Sequence, residues 1–261
     1  MMREILATIT IAAGLASAQT AVTAPQVGFM HDAADSVRPV YGIAGNFLLG
    51  DPVATGVLSA AFSGSYGLIK TGSAVIVIDR AGSIVGSSNA PDGPALLSFA
   101  PTGEPALAYL PDTTTLLAWS AGTLSVVPFD PAAIGAGAVL SIASPDSDHA
   151  ALVVQRDDGL WDARILLATG EVDAQTAIPG VAAPVLMLAS GELVYSDANG
   201  IVVRKPDGSE RNIIAPLPAS FAFEQLGDGW IQLRDLTSAQ QFAIRIIENR
   251  ERSYQLPEVD Q

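Results

Sequence analysis

Residues 149–172 read HAALVVQRDDGLWDARILLATGEV, and this stretch decides the fold. A short apolar run meets Asp157-Asp158-Gly159, a second run follows, and Thr169-Gly170 ends it. Runs of four to eight Val, Ile and Leu residues split by Asp-Gly, Ala-Gly, Thr-Gly or Asn-Gly pairs are the mark of β-hairpins, because such pairs reach the positive φ of tight turns. The same two-part pattern returns as SAVIVIDRAGSIVGS from Ser73, TTLLAWSAGTLSVVPF from Thr114 and GIVVRKPDGSERNII from Gly200. Outside the first residues no segment shows helical periodicity.

The hairpins group into larger units. Five opening runs can be laid over one another: VLSAAFS from Val57, LLSFAPTG from Leu96, VLSIASPD from Val139, VLMLASG from Val185 and FAFEQLGDG from Phe221. Successive starts lie 39, 43, 46 and 36 residues apart. Each interval has room for four strands, and repeats of this length built from four strands predict an all-β propeller. Upstream, residues 27–31 and 37–43 flank a turn-like stretch at 32–36. They read as an N-terminal hairpin or a partial sixth blade. Sheet edges left open invite aggregation, so the hairpin is expected to pair edge to edge with the last unit, 221–257, and close the ring.

Composition bounds the partners. The chain has 261 residues, 49% hydrophobic and 15% charged, too apolar for a disordered body. A net charge of −14 disfavours nucleic acid and anionic membrane surfaces, which an acidic face repels. With no cysteine there is no disulfide framework, thiolate metal site, thiol nucleophile or lipidated cysteine. Arg3, an apolar stretch at 5–15 and Ala16-Ser17-Ala18 make a signal peptide over 1–18, with a mature start at Gln19. A Thr/Ala/Pro linker at 19–25 and a single domain at 26–261 follow. No later stretch has the apolar length of a transmembrane helix. The expected product is an exported monomer.

Two resemblances add to this reading. SFAPTGEPALAYL from Ser98 and SIASPDSDHAALVV from Ser141 resemble the inner-strand, turn, second-strand signature of bacterial periplasmic propellers, the Tol-associated and Trp-Asp repeat classes among them. VGFMHDAADSVRPVYGIAGNFLLGDPV, from Val27, is similar to the opening of uncharacterised secreted bacterial proteins, through Gly28, Phe29, Arg38, Pro39, Gly42, Gly45, Leu49 and Gly50. The first implies a propeller and no activity. The second implies export and a propeller-like fold.

Few residues suggest chemistry. His31 and His149 have aspartates nearby, as a metal site or an oriented base would want, but read as solvated turn histidines. The acidic turns at 146–148, 157–159, 197–200 and 207–210 lack the alternating oxygen set of a calcium loop and read as turn formers. Trp119 and Trp161 fall in the third strand of consecutive units, and Trp230 opens the second strand of the last. All three read as packing between blades, with a sugar-stacking platform as the alternative. The predicted inner runs contain one acid, Glu224, whereas glycoside hydrolysis needs two carboxylates a few ångströms apart. No nucleophile elbow, phosphate loop or dinucleotide fingerprint occurs. The sequence therefore points to no catalytic, metal or cofactor residue. It predicts a non-catalytic binding module for a protein or carbohydrate, with a hydrolase or lyase acting on a polysaccharide or lactone as the alternative.

Overall fold

A computed structural model describes residues 25–43, 46–135, 137–215, 217–227 and 229–257. The candidate signal peptide, the linker up to residue 24, Ala44 and Gly45 lie outside the described residues. The chain forms six four-stranded antiparallel sheets. Blade one holds β1 (Gln26–His31), β2 (Ser36–Ile43), β3 (Asn46–Leu49) and β4 (Ala54–Thr55). Blade two runs β5 (Val57–Phe62), β6 (Tyr66–Thr71), β7 (Ala74–Asp79) and β8 (Ile84–Asn89). Blade three runs β9 (Leu96–Phe99), β10 (Ala106–Leu110), β11 (Thr115–Ser120) and β12 (Thr123–Val126). Blade four is β13 (Ala138–Ala143), β14 (His149–Arg156), β15 (Gly159–Leu166) and β16 (Val172–Ile178). Blade five is β17 (Val185–Met187), β18 (Leu193–Asp197), β19 (Gly200–Arg204) and β20 (Glu210–Ile213). Blade six is β21 (Phe221–Gly227), β22 (Trp230–Asp235), β23 (Gln241–Arg245) and β24 (Arg252–Gln255). The five expected units start where the sequence puts them, to within one residue. Among the described residues no helix is long and apolar enough to cross a membrane.

Burial explains the apolar runs. A middle strand is covered on both faces by neighbouring blades, so β10 is buried at all five positions and has no polar alternation. Outer strands such as β8 are exposed and alternate weakly. Each junction between adjacent blades has its own core. Leu68, Val77, Phe99 and Trp119 fill the one between blades two and three. Leu107, Leu116, Leu152 and Ile165 fill the next. Val153, Val185, Tyr195 and Val202 join blades four and five, and Val194, Ile201, Ile231 and Leu233 join five and six. Phe29 and Val37 of blade one pack on Val57, Phe62 and Ile78 of blade two. Met30 and Val40 meet Ala243 and Leu256 of blade six, the smallest of the cores.

That last core corrects the closure expected from sequence. Blade one is a sheet of its own, and among the described residues no strand of it pairs with a strand of blade six. Blade one is three strands wide, β3 and β4 lying end to end along one edge of β2, and blade six has four strands of its own, so each sheet is complete without exchanging a strand. The ring closes face to face. Blade one is also set back from the axis: β5 and β21, its two flanking inner strands, touch each other directly.

Local chemistry holds the first hairpin in place. Asp32, almost fully buried, accepts hydrogen bonds at Oδ1 from the amides of Ala34 and Ser36, both at 2.9 Å. Its Oδ2 accepts from Arg38 Nε at 2.7 Å, and Arg38 Nη1 donates to the Gly50 carbonyl at 3.1 Å. A Cβ on Gly50 would stand 2.7 Å from the Pro39 ring and 2.9 Å from the Tyr41 ring, which leaves room only for glycine. Arg38, Pro39 and Gly50 of the secreted-protein resemblance thus act as one structural clamp.

Candidate binding site in the central channel

The channel is a cavity of about 380 Å³ lined by the inner strands of blades two to six. Leu58, Leu96, Leu97, Leu140, Leu186 and Phe223 are among the apolar side chains in its wall. These are residues of the five opening runs, as the repeat alignment requires. Two serines of those runs have a different task from the one their position suggests, while Ser98 Oγ is buried with no partner among the described residues. Ser59 Oγ accepts from the Ala95 amide at 3.0 Å, and Ser141 Oγ accepts from the Met187 amide at 2.9 Å. Each of these two serines follows a bulge at the start of its strand and ties one inner strand to the next. Their hydroxyls are spent on the ring and are less available to a ligand.

The charged lining is confined to blade six. Among the described lining residues Glu224 is the one acid and Arg234 the one base. Glu224 Oε1 forms an ion pair with Arg234 Nη2 at 3.3 Å and lies 3.2 Å from His31 Nδ1. The other oxygen, Oε2, is buried and has no hydrogen-bond partner among the described residues, and neither has Arg234 Nε.

His31 is the residue the sequence misjudged. It was expected to be a solvated turn histidine, and its side chain is fully buried at the end of β1. Its Nε2 lies 3.1 Å from the Val57 carbonyl, which can only accept, so Nε2 carries a proton. Its Nδ1 lies 3.2 Å from Glu224 Oε1, the carboxylate oxygen that also faces Arg234. Gln232, also fully buried, holds the His31 backbone: its Oε1 accepts from the His31 amide at 3.4 Å and its Nε2 donates to the His31 carbonyl at 2.6 Å. The same Nε2 donates to Gln241 Oε1 at 2.9 Å. This one histidine therefore links blades one, two and six and props Glu224 in the channel wall. Asp35, exposed, lies 4.0 Å from Nε2.

The other candidates stay apart from the channel. His149, part-buried, lies on Asp146, with Nδ1 2.9 Å from Oδ1, and closes a local turn as expected. The acidic turns behave as turns: Asp197 Oδ1 accepts from the Asn199 amide at 2.7 Å, and Asp207 Oδ1 from the Ser209 amide at 2.9 Å. No group of three or more histidine or acidic side chains among the described residues could hold a metal ion. Trp119 is 2% exposed, edge-on to Tyr66 of the neighbouring blade at 4.6 Å, as packing between blades requires. Gly86 makes room for it, since a Cβ there would stand 3.2 Å from the indole nitrogen. Trp161 departs from the expectation. It is half-buried and pinned by its own hairpin turn: Nε1 donates to Asp158 at 2.9 Å, and Arg156 lies 4.6 Å above the ring.

What the channel can do follows from this set. A glycosidase needs an acid and a second carboxylate about 5–9.5 Å apart. Here the lining carboxylate is already ion-paired, and no second one lines the cavity among the described residues. An apolar tube with one polar wall can instead hold an apolar group and satisfy one hydrogen-bond donor.

No protein-family model matches the chain, and no curated protein matches it in sequence. Solved structures do match in fold. TolB from Acinetobacter baumannii aligns with a TM-score of 0.55 at 16% identity, over 88% of this chain and 63% of the TolB chain. A nidogen/laminin complex gives 0.53 at 11% identity, over 87% of this chain and 92% of that one. A protein of unknown function from Bacteroides caccae gives 0.52 at 14% identity, over 88% and 98%. These neighbours are β-propellers, and the likeness at such identities is one of fold.

Proposed function

We propose that this chain is an exported, non-catalytic propeller that captures a protein or carbohydrate segment at its channel mouth. The observation that supports it is the channel wall: five apolar inner strands and a single ion-paired carboxylate among the described lining residues. An apolar group of the partner would fill the tube while a hydroxyl or amide N–H meets the Glu224 side of the wall. The signal-like segment at 1–18 supports export, and the Ser144-Pro145-Asp146 turn supports kinship with Tol-associated bacterial propellers. Material recovered outside the cytoplasm should begin at Gln19, and an intact Met1 on it would end the cleavage reading.

The binding reading is tested with Ala222→Trp. Ala222 lines the channel directly across the ladder from Arg234, so an indole there plugs the cavity. Wild type should be retained on a peptide or oligosaccharide array and Ala222→Trp should not. Hydrolysis of aryl glycosides or lactones that disappears in Glu224→Gln would replace this reading with the hydrolase one.

A further inference from the structure

A second cavity, of about 230 Å³, lies in the seam between blades one and six. Met30, Val40 and Phe47 face Leu226, Trp230 and Ala243 across it, and no charged side chain lines it among the described residues. Val27, 52% exposed, stands at its mouth. The cavity is thus apolar and open to solvent.

The charges beside it are unusual. Trp230 pairs with Arg245, and Arg245 pairs with Arg252, so the three project from one face of blade six as a cross-strand row. The Arg245 guanidinium lies over the Trp230 ring at 5.8 Å. Like charges directly opposite each other on a sheet repel. Carboxylates are not scarce, with 27 acids against 13 Lys and Arg in the chain. Yet the two acids of the intervening turn serve blade five: Glu248 pairs with Lys205 at 2.7 Å and Glu251 with Arg211 at 3.5 Å. Among the described residues neither Arg245 nor Arg252 has an ion-pair partner. Arg245 Nε is buried without an acceptor, and Arg252 Nη1 reaches the Glu251 carbonyl at 3.0 Å.

We propose that this seam binds a monoanionic amphiphile of the class of a free medium-chain carboxylic acid. The alkyl body fills the cavity against Phe47 and Trp230, and the carboxylate sits between Arg245 and Arg252. The size fits: a dry apolar cavity of about 150 Å³ takes benzene, so this one takes a chain of about eight to ten carbons. The charge fits as well, since one carboxylate relieves the repulsion of the arginine pair.

Calorimetric titration with decanoate and with decanol tests it, using mature wild type, Arg252→Ala and Val27→Trp. Wild type should bind decanoate about tenfold more tightly than decanol. Arg252→Ala, at an exposed position, should weaken decanoate about fivefold and leave decanol unchanged. Val27→Trp, which narrows the mouth without touching the core, should weaken both. Equal affinity for the two probes, decanoate binding indifferent to Arg252→Ala, or no decanoate binding at all would overturn the proposal.

Discussion

Gly200→Val tests the hairpin geometry on which the repeat alignment stands. Gly200 opens β19 directly after the Ala198-Asn199 turn, paired with Asp197, at φ +141°. A valine there suffers twice. Positive φ costs a β-branched residue about 1–3 kcal/mol. Its Cβ would also stand 2.6 Å from the Ile213 carbonyl oxygen, a backbone atom of the neighbouring edge strand. Moving β20 away disturbs the ladder at Ile201 and Ile213, worth about 1 kcal/mol per hydrogen bond lost. The sum is about 3 kcal/mol. Gly208 is the internal control. Its φ is +85°, but a Cβ there meets nothing within 4 Å, so Gly208→Val should cost the strain alone, about 1–2 kcal/mol. Urea unfolding reads the difference: the Gly200→Val midpoint should fall by about 1 M for a slope near 3 kcal/mol/M, and Gly208→Val by about half as much. Equal midpoints for the two variants would refute the close approach to β20. A Gly200→Val midpoint equal to wild type would refute the tight turn itself.

Two further outcomes follow from side chains. His31→Ala should destabilise by about 3 kcal/mol, through a buried cavity, an unpaired Val57 carbonyl and a loosened Glu224, while His149→Ala at its local turn should change stability by less than about 0.5 kcal/mol in the same urea assay. The Tyr195 hydroxyl donates to Glu210 at 2.8 Å, and burial, then that hydrogen bond, push its pKa from 10.0 to about 12. The raised value means the fold favours the neutral phenol: that stability is complete below pH 10 and is lost as pH rises toward 12. Tyr195→Phe should therefore flatten the alkaline limb of a stability–pH profile; Tyr109, raised by burial, leaves a residual slope of the same sign, while Lys70, lowered by burial, acts in the opposite sense, its penalty easing as pH rises.

The readable parts of this chain are those whose cause is local. The inner strands begin where the opening runs begin, because a run covered on both faces is apolar throughout and ends at its turn. Gly82, Gly122, Gly159, Gly200 and Gly208 all have positive φ, because only the turn residues themselves decide that. Trp119 is buried between blades as its strand position implies. The unreadable parts depend on distant partners. Glu224 and Gln232 reach His31 across 193 and 201 residues, and nothing near His31 announces burial. The signal that could have found it is Glu224, the lone acid in an inner run, which needs a buried donor. Closure by faces was missed because edge pairing is only one way to protect a sheet, and blade one completes its own sheet with two short strands, β3 and β4. Ser59 and Ser141 of the inner runs likewise look like ligand groups until the neighbouring strand's amides are in place.

The central claim is that the partner enters the channel, and site-specific photo-crosslinking tests it most directly. A short aliphatic diazirine side chain at position 222, in the channel wall and too small to fill the cavity, is compared in the producing cell with one at position 84, where Ile84 is 65% exposed on an outer strand. The account predicts a discrete covalent adduct from position 222 and none from position 84. Adducts from position 84 with none from position 222 would place the partner on the outer rim and contradict it.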